Sequence, residues 1–316
     1  SVLVATVAVG IVVLAPAFLP FLLGAVLFGL GTGLYGPPRV IVLSNTYSRR
    51  DSTAIALTFA AGSLGSAALP FVGGRLASAF DWRAGFVVVL VPFALVAGGL
   101  WRFLPRHAST TEKATDQSLR YVARRLASAV TDRSVVLAWA GMSLSLFVYE
   151  GVTSYLPTYL VSAKGLSTGT AATVFGAFFV VGAVAQPVSG ALGDRFGRRR
   201  VLVGLAGFGA VPLVLLPFGS GLPALAALAV LLGVRLGLGP LNNAYIADAF
   251  PRDIQGAGYG FVRTFHMAIG STSAVVIGYL ADAELFDEAF FLLAGVSLAC
   301  MVLYAGLPVS ESRRDG

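Results

Sequence analysis

Ten times along its 316 residues the chain runs for about twenty residues or more with almost nothing but apolar side chains. This recurrence constrains the fold more than any other feature. A helix of that length crosses the ~30 Å of hydrocarbon in a bilayer, and inside hydrocarbon every backbone N–H and C=O has to be satisfied by the spanning structure itself. The runs centre on 2–19, 21–44, 53–78, 84–104, 134–160, 168–191, 201–218, 222–248, 256–281 and 286–308. A large soluble α/β protein with buried strands is excluded, because the runs are too long and recur too often. With 57% hydrophobic and 12% charged residues, a water-soluble fold would expose large apolar patches. The expected fold class is an all-α polytopic membrane protein.

The distribution of charge supplies the topology. Of 22 Lys and Arg, sixteen fall on one set of connections: Arg49, Arg50, Arg102, Arg106, Lys113, Arg120, Arg124, Arg125, Arg133, Arg195, Arg198, Arg199, Arg200, Arg252, Arg313 and Arg314. Arg75, Arg83 and Lys164 fall on the other side, and Arg39, Arg235 and Arg263 lie inside spans. Short loops rich in Lys and Arg stay cytoplasmic, so the first set is read as cytoplasmic and both termini of this chain fall on that side. The net charge of +7 therefore serves topology, and nucleic acid is not an expected partner. The single Cys300 sits in an apolar run, so no intramolecular disulfide can form.

The densest knot of charge is residues 190–200, Gly-Ala-Leu-Gly-Asp-Arg-Phe-Gly-Arg-Arg-Arg, set between two apolar runs. A chain that leaves the bilayer here must turn within a few residues and go back, and glycine permits the tight geometry. The spacing Gly-x-x-x-Asp-Arg-x-Gly-Arg-Arg, with Gly190, Asp194, Arg195, Gly197, Arg198 and Arg199, resembles the signature loop of the major facilitator superfamily of secondary transporters. Other stretches are similar to that family as well. Gly65 to Gly74, with Pro70, Gly73 and Gly74, resembles the glycine-proline motif that proton antiporters carry in their fifth helix, although the usual Gly before the proline is Leu69. Asp81-Trp82-Arg83 resembles the Trp-Arg element that closes that helix on the outer side. The arginine that antiporters carry early in the fourth helix falls on Ala25 and is absent.

The two halves of the chain repeat one another. Val2-Leu3-Val4 matches Val201-Leu202-Val203, Gly29 and Gly33 match Gly233 and Gly237, and Tyr47-Ser48-Arg49 parallels Phe250-Pro251-Arg252. Val201 follows the charged loop directly, whereas its partner Val2 stands almost at the first residue. Against the twelve-helix plan of the family, the first copy of the loop and two helices before it are expected to be missing, and the ten runs correspond to the third to twelfth helices. The expected domains are an incomplete N-terminal bundle at 1–104, a cytoplasmic linker at 105–133, and a six-helix C-terminal bundle at 134–316. Within the linker Leu119, Val122, Leu126 and Val130 recur at helical spacing, which predicts an amphipathic helix on the membrane surface.

Ionisable groups inside spans are costly and each needs a reason. Glu150 is the one acid deep in an apolar run, with Thr153 and Ser154 a turn further on. A carboxyl in low dielectric can take up a proton as a cavity opens and closes, or can hold an arginine in a fixed pair. Arg235 stands mid-span with Asn242 on the same face, facing either an anionic substrate or a structural partner, Glu150 or a carbonyl. Arg39 shares a face with Thr32 and Tyr35, while Arg263 and His266 pair at i and i+3. His266 either titrates near neutral pH or packs between helices; Asn242, Asn243 and Tyr245 either bind substrate or join helices. The resemblance implies that Arg39, Glu150 and Arg235 lie on helices lining a central cavity, and that the loop at Asp194 latches one conformation of two bundles.

The expected function is secondary active transport of a small solute by alternating access, with a proton or other ion as coupling partner and the lipid bilayer of the plasma membrane as surroundings. Three arginines against one glutamate tilt the solute towards an organic anion; the alternative is proton-driven efflux of hydrophobic drugs. No cofactor, metal or partner subunit is expected, so the protein is read as a monomer. A membrane-embedded enzyme would need a clustered nucleophile, acid/base pair or metal set, and His107, His266 and Cys300 do not supply one. Nor is there a glycine loop with Lys and Ser/Thr for nucleotide, and a sensor or receptor, which would call for an appended signalling domain, is not the expectation from the short tail at 311–316.

Overall fold

A computed structural model describes residues 2–47, 50–103, 119–251 and 254–308, and all of the regular structure in them is helical. Twelve α-helices follow in order: α1 (Val2–Leu14), α2 (Phe18–Thr46), α3 (Asp51–Ala79), α4 (Trp82–Phe103), α5 (Leu119–Val130), α6 (Arg133–Ser162), α7 (Thr168–Phe196), α8 (Arg198–Leu215), α9 (Gly221–Val234), α10 (Leu238–Ala249), α11 (Gln255–Asp282) and α12 (Phe286–Ala305). Nine stretches of the described residues are long and apolar enough to cross a membrane, and α9 with α10 forms one of them. The molecule is a multi-pass helical membrane protein.

Two expected spans differ in detail. The run at 2–19 is divided: Ala15 precedes Pro16, a position that disfavours helical backbone, so α1 stops after 13 residues and is about 20 Å long. The run at 222–248 is interrupted by a 3-10 turn at Arg235–Gly237. The expected linker lies outside the described residues as far as position 118, as do Ser48, Arg49, Arg252 and the tail from 309. From Leu119 the chain is helical, and α5 carries Arg120, Arg124 and Arg125 without an acid in its 12 residues.

The chain divides into two compact units, Ser1–Arg39 with Ala68–Arg124, and Val40–Ala67 with Arg125–Gly316. In the first, α1 packs along α4, and Gly24 and Gly31 of α2 press against Val12 and Ala5. Arg83 at the start of α4 donates to the Ala15 carbonyl at 2.8 Å, pairs with Asp81 at 3.1 Å and lies over the Trp82 ring. That closes the carbonyl left open where α1 ends.

In the second unit, packing by small residues replaces the hydrophobic drive that lipid cannot supply. Helices α6 and α11 run parallel: Leu146 fills the space at Gly270, Ser273 lies against Gly151, and Tyr155 meets Gly278 and donates to the Ala274 carbonyl at 2.9 Å. Helices α8 and α12 are antiparallel, with Met301 against Gly207 and the Ser297 hydroxyl on the Ala206 carbonyl at 2.9 Å. Helix α9 lies so close to α7 that a methyl group at Gly233 would collide with the Phe178 carbonyl. Val148, Val152, Leu156, Phe178, Leu232 and Leu293 are the centre of the resulting core. At the start of α6 the Asp132 carboxylate accepts from the Ser134 hydroxyl and from the amides of Ser134 and Val135. These bonds hold its pKa below the usual carboxylate range.

Candidate functional site: a charged loop, a helix break and an unpaired carboxylate

Helix α7 becomes α8 through one residue, Gly197, whose φ of 89° lies in the region that favours glycine and whose amide donates to the Gly193 carbonyl at 3.0 Å. That turn sets Asp194 and Arg198 against the first turn of α3. The Asp194 carboxylate accepts from the Thr53 amide at 3.2 Å and from the Thr53 hydroxyl at 2.7 Å. It supplies from another helix the negative charge and acceptor that a helix N-terminus calls for. Arg198 donates to the Ser52 hydroxyl at 2.8 Å and to the Ala244 carbonyl at 3.1 Å, and pairs with Asp248 at 2.8 Å. It thereby joins the start of α3 to the last turns of α10.

The backbones come close here. A Cβ at Gly190 would stand 2.7 Å from the Ser52 carbonyl oxygen and 2.8 Å from the Ala56 methyl group, so this crossing needs glycine. Arg199 reaches the last carbonyl of α12, on Ala305, and Arg195 lies over the Phe196 ring. The loop is legible in the sequence, but its partners are not. Ser52, Thr53 and Asp248 gave no signal beyond a helix start and a helix end.

Further into the spans, α3 and α7 are joined by a buried hydrogen bond, from the Ser63 hydroxyl to the Gln186 side-chain oxygen at 3.1 Å. Three residues on, the Ser189 hydroxyl lies 2.7 Å from the Gln186 carbonyl and 3.0 Å from the Gly237 carbonyl. A 3-10 turn in the middle of a span loosens the regular ladder, and Ser189 provides the donor for the loosened carbonyl. In the sequence the one signal of Gln186 is a glutamine before a proline in an apolar run.

The structure sorts the candidate residues of the spans into three groups. Arg235 and Asn242 are turned into the interior of the second unit. Arg235 is 7% exposed, extends its aliphatic stem over Gly209 of α8, and donates over 3.3–3.4 Å to the Ser145 carbonyl and the Ser297 hydroxyl. Asn242 accepts from the Tyr304 hydroxyl at 2.8 Å, and Asn243 accepts from the Tyr259 hydroxyl. His266 is buried at the α6–α11 seam near Met142, with Nδ1 lacking a partner among the described residues; Arg263 lies one turn before it, partly buried.

Glu150 forms the second group. It is half-buried in the middle of α6 and has no ion pair and no side-chain hydrogen bond among the described residues. The expected alternative of an Arg235–Glu150 pair is not formed, since Arg235 is held by Ser145 and Ser297. Arg39 and Tyr35 make up the third group, in the first unit, with the Arg39 guanidinium 5.5 Å from the centre of the exposed Tyr35 ring.

Comparison with known proteins fits this architecture. The chain is 32% identical over 184 residues to "Multidrug resistance protein MdtG" of Escherichia fergusonii, and 30% identical over 176 residues to the protein of that name from Serratia proteamaculans. Each match covers 54% of this chain and 43% of the relative, so the chain spans less than half the length of these curated relatives. Among solved structures, a variant of the E. coli Fucose:proton symporter FucP superposes with a TM-score of 0.76 over 96% of this chain and 81% of that chain, at 17% identity. FucP in the outward conformation gives 0.75. At that identity the likeness establishes the fold alone. The family model described as Major Facilitator Superfamily matches residues 1–184 and 165–316, which together cover the whole chain. The chain belongs to the Major Facilitator Superfamily.

Proposed function

We propose that the protein is a secondary active transporter that carries a small solute across the plasma membrane by alternating access. It works as a monomer, with the arginine-rich connections and both ends of this chain in the cytoplasm. The observation that carries this reading is the seat of Asp194 on the first turn of α3, with Arg198 beside it on Ser52 and Asp248. These bonds use groups that water can satisfy equally well. A contact of that kind closes one face of the molecule without making the closure permanent. By the repeat, α3 belongs to the first bundle (1–104) and α7 to the second (134–316), so releasing Asp194 frees one bundle from the other on the cytoplasmic side. Gly190, Asp194, Arg195, Gly197, Arg198 and Arg199 form the latch; Glu150 couples the proton.

The test is Asp194→Asn in proteoliposomes, read by thiol labelling of cysteines introduced on the faces of α3 and α7 that meet. The native Cys300 is buried and stays silent. Raised labelling from the arginine-rich side is expected. Labelling identical to the parent from both sides contradicts the latch.

The solute has two readings. Arg263 and Arg39 support an organic anion, but the inward turn of Arg235 removes one of the three arginines on which that rested. Similarity to proteins named for multidrug resistance favours proton-driven efflux of hydrophobic compounds. Saturable uptake of an organic anion supports the first; energised extrusion of a lipophilic dye supports the second.

A further inference from the structure

We propose that Ser63 and Gln186 form a second lock at membrane depth, separate from the charged latch, and that both are positioning residues for the switch between conformations. The proposal rests on the reading of the α3–α7 contact as the face that opens.

Gln186 stands ten residues before the end of α7, and Ser63 twelve residues after the start of α3. At the rise of a helix that is about 15–18 Å from the arginine-rich end, close to the middle of the span. Around the bond the seam is otherwise apolar and tight: Ala56 meets Gly190 on one side, and Ala67 packs on the hydrophobic core on the other. Ser63 is 5% exposed and Gln186 3%.

A hydroxyl and an amide enclosed in that way have each other in this conformation, and parting the helices requires water or solute to take over. The bond therefore belongs to one conformation only, which is what makes it a lock. The charged latch at Asp194 can exchange its partners for water at the rim; the bond at Ser63 breaks only when the middle of the seam floods. The same turn of α7 also holds the 3-10 break in the α9–α10 span through Ser189. The loss of Gln186's partner on α3 thus falls within one helical turn of the weakest point of the neighbouring span.

Ala60 lies between Ala56 and Ser63 on α3 and is buried, so Ala60→Cys in the full-length protein in proteoliposomes reports parting of the seam. A membrane-impermeant maleimide is applied from the arginine-rich side. Ser63→Ala and Gln186→Ala are each expected to raise its labelling rate roughly threefold, the effect of one interhelical hydrogen bond in a membrane. The double variant should rise no further than either single one, and Ser63→Thr, which keeps the hydroxyl, should restore a slow rate. A merely structural bond would lower the melting temperature and leave labelling unchanged. Unchanged labelling in both single variants, or independent and multiplying effects, overturns the proposal. Asp194→Asn with the same reporter separates the two readings. A rise there with none in Ser63→Ala removes the inner lock alone, and no rise in either removes the latch as well.

Discussion

Two seams of the second unit are built on opposite terms. Along α3–α7, among the described residues, polar groups are paired across the helices: Thr53 with Asp194, Ser52 with Arg198, Ser63 with Gln186. Along α6–α11 side chains fill the notches at Gly151, Gly270 and Gly278, yet His266 Nδ1 and the Ser273 hydroxyl are buried without partners among the described residues; elsewhere on α6, Glu150 stands half-buried with no ion pair among those residues. Polar bonds that water can replace suit a contact that must break, whereas packing of side chains into glycine notches suits one that must not. Unpaired polar atoms on the permanent seam are then the groups available to a proton, a water or a solute. On the proposed reading, the difference separates the part of the molecule that moves from the part that binds.

The sharpest way to break this division is at Glu150. Glu150→Gln should abolish transport driven by a pH gradient while leaving counterflow exchange, as measured with radiolabelled solute in proteoliposomes; driven transport at the parental rate would take Glu150 out of the coupling role. Added bulk should then act differently on the two seams. Gly151→Val pushes into Ser273 and Leu293 and is expected to cost about 1–3 kcal/mol, seen as a lower melting temperature with no change in labelling of Ala60→Cys. Gly190→Ala, against the Ser52 carbonyl and Ala56, should instead raise that labelling. If the two glycines behave alike, the distinction fails.

Smaller effects test the interior joins. Tyr304→Phe strands the buried Asn242 oxygen and should cost roughly 1 kcal/mol in thermal stability, with Km for the solute unchanged. A raised Km would return Asn242 to the substrate site. Asp132→Ala removes the N-cap of α6, at about 1 kcal/mol near neutral pH. The folded state holds this carboxylate's pKa below its ordinary value of 3.8, so its contribution is present above that value and fades as pH falls through the lower, folded one. The difference between parent and variant should therefore shrink only in strong acid.

Much of this arrangement can be read from the chain before any coordinates. Apolar runs of bilayer length dictate helices, and a glycine between Phe196 and Arg198 dictates a one-residue turn, because length and φ are local properties. What side chains meet across helices is not local. Arg235 and Asn242 share a face, as their spacing implies, and that face meets α6 and α12; rotation of a helix about its axis depends on glycines in other helices, here Gly209 and Gly141. Ser63 and Gln186 are invisible for the same reason: each is an unremarkable polar residue until packing places it opposite the other, 123 positions away.

The claim that one seam parts and the other does not is tested most directly by paired spin labels in proteoliposomes. Arg50 with Phe196 spans α3–α7, and Val136 with Phe261 spans α6–α11, all four exposed. Reversing the pH gradient should shift the distance distribution of the first pair to longer values and leave that of the second unchanged. Movement of both pairs together, or of the second alone, would contradict the account.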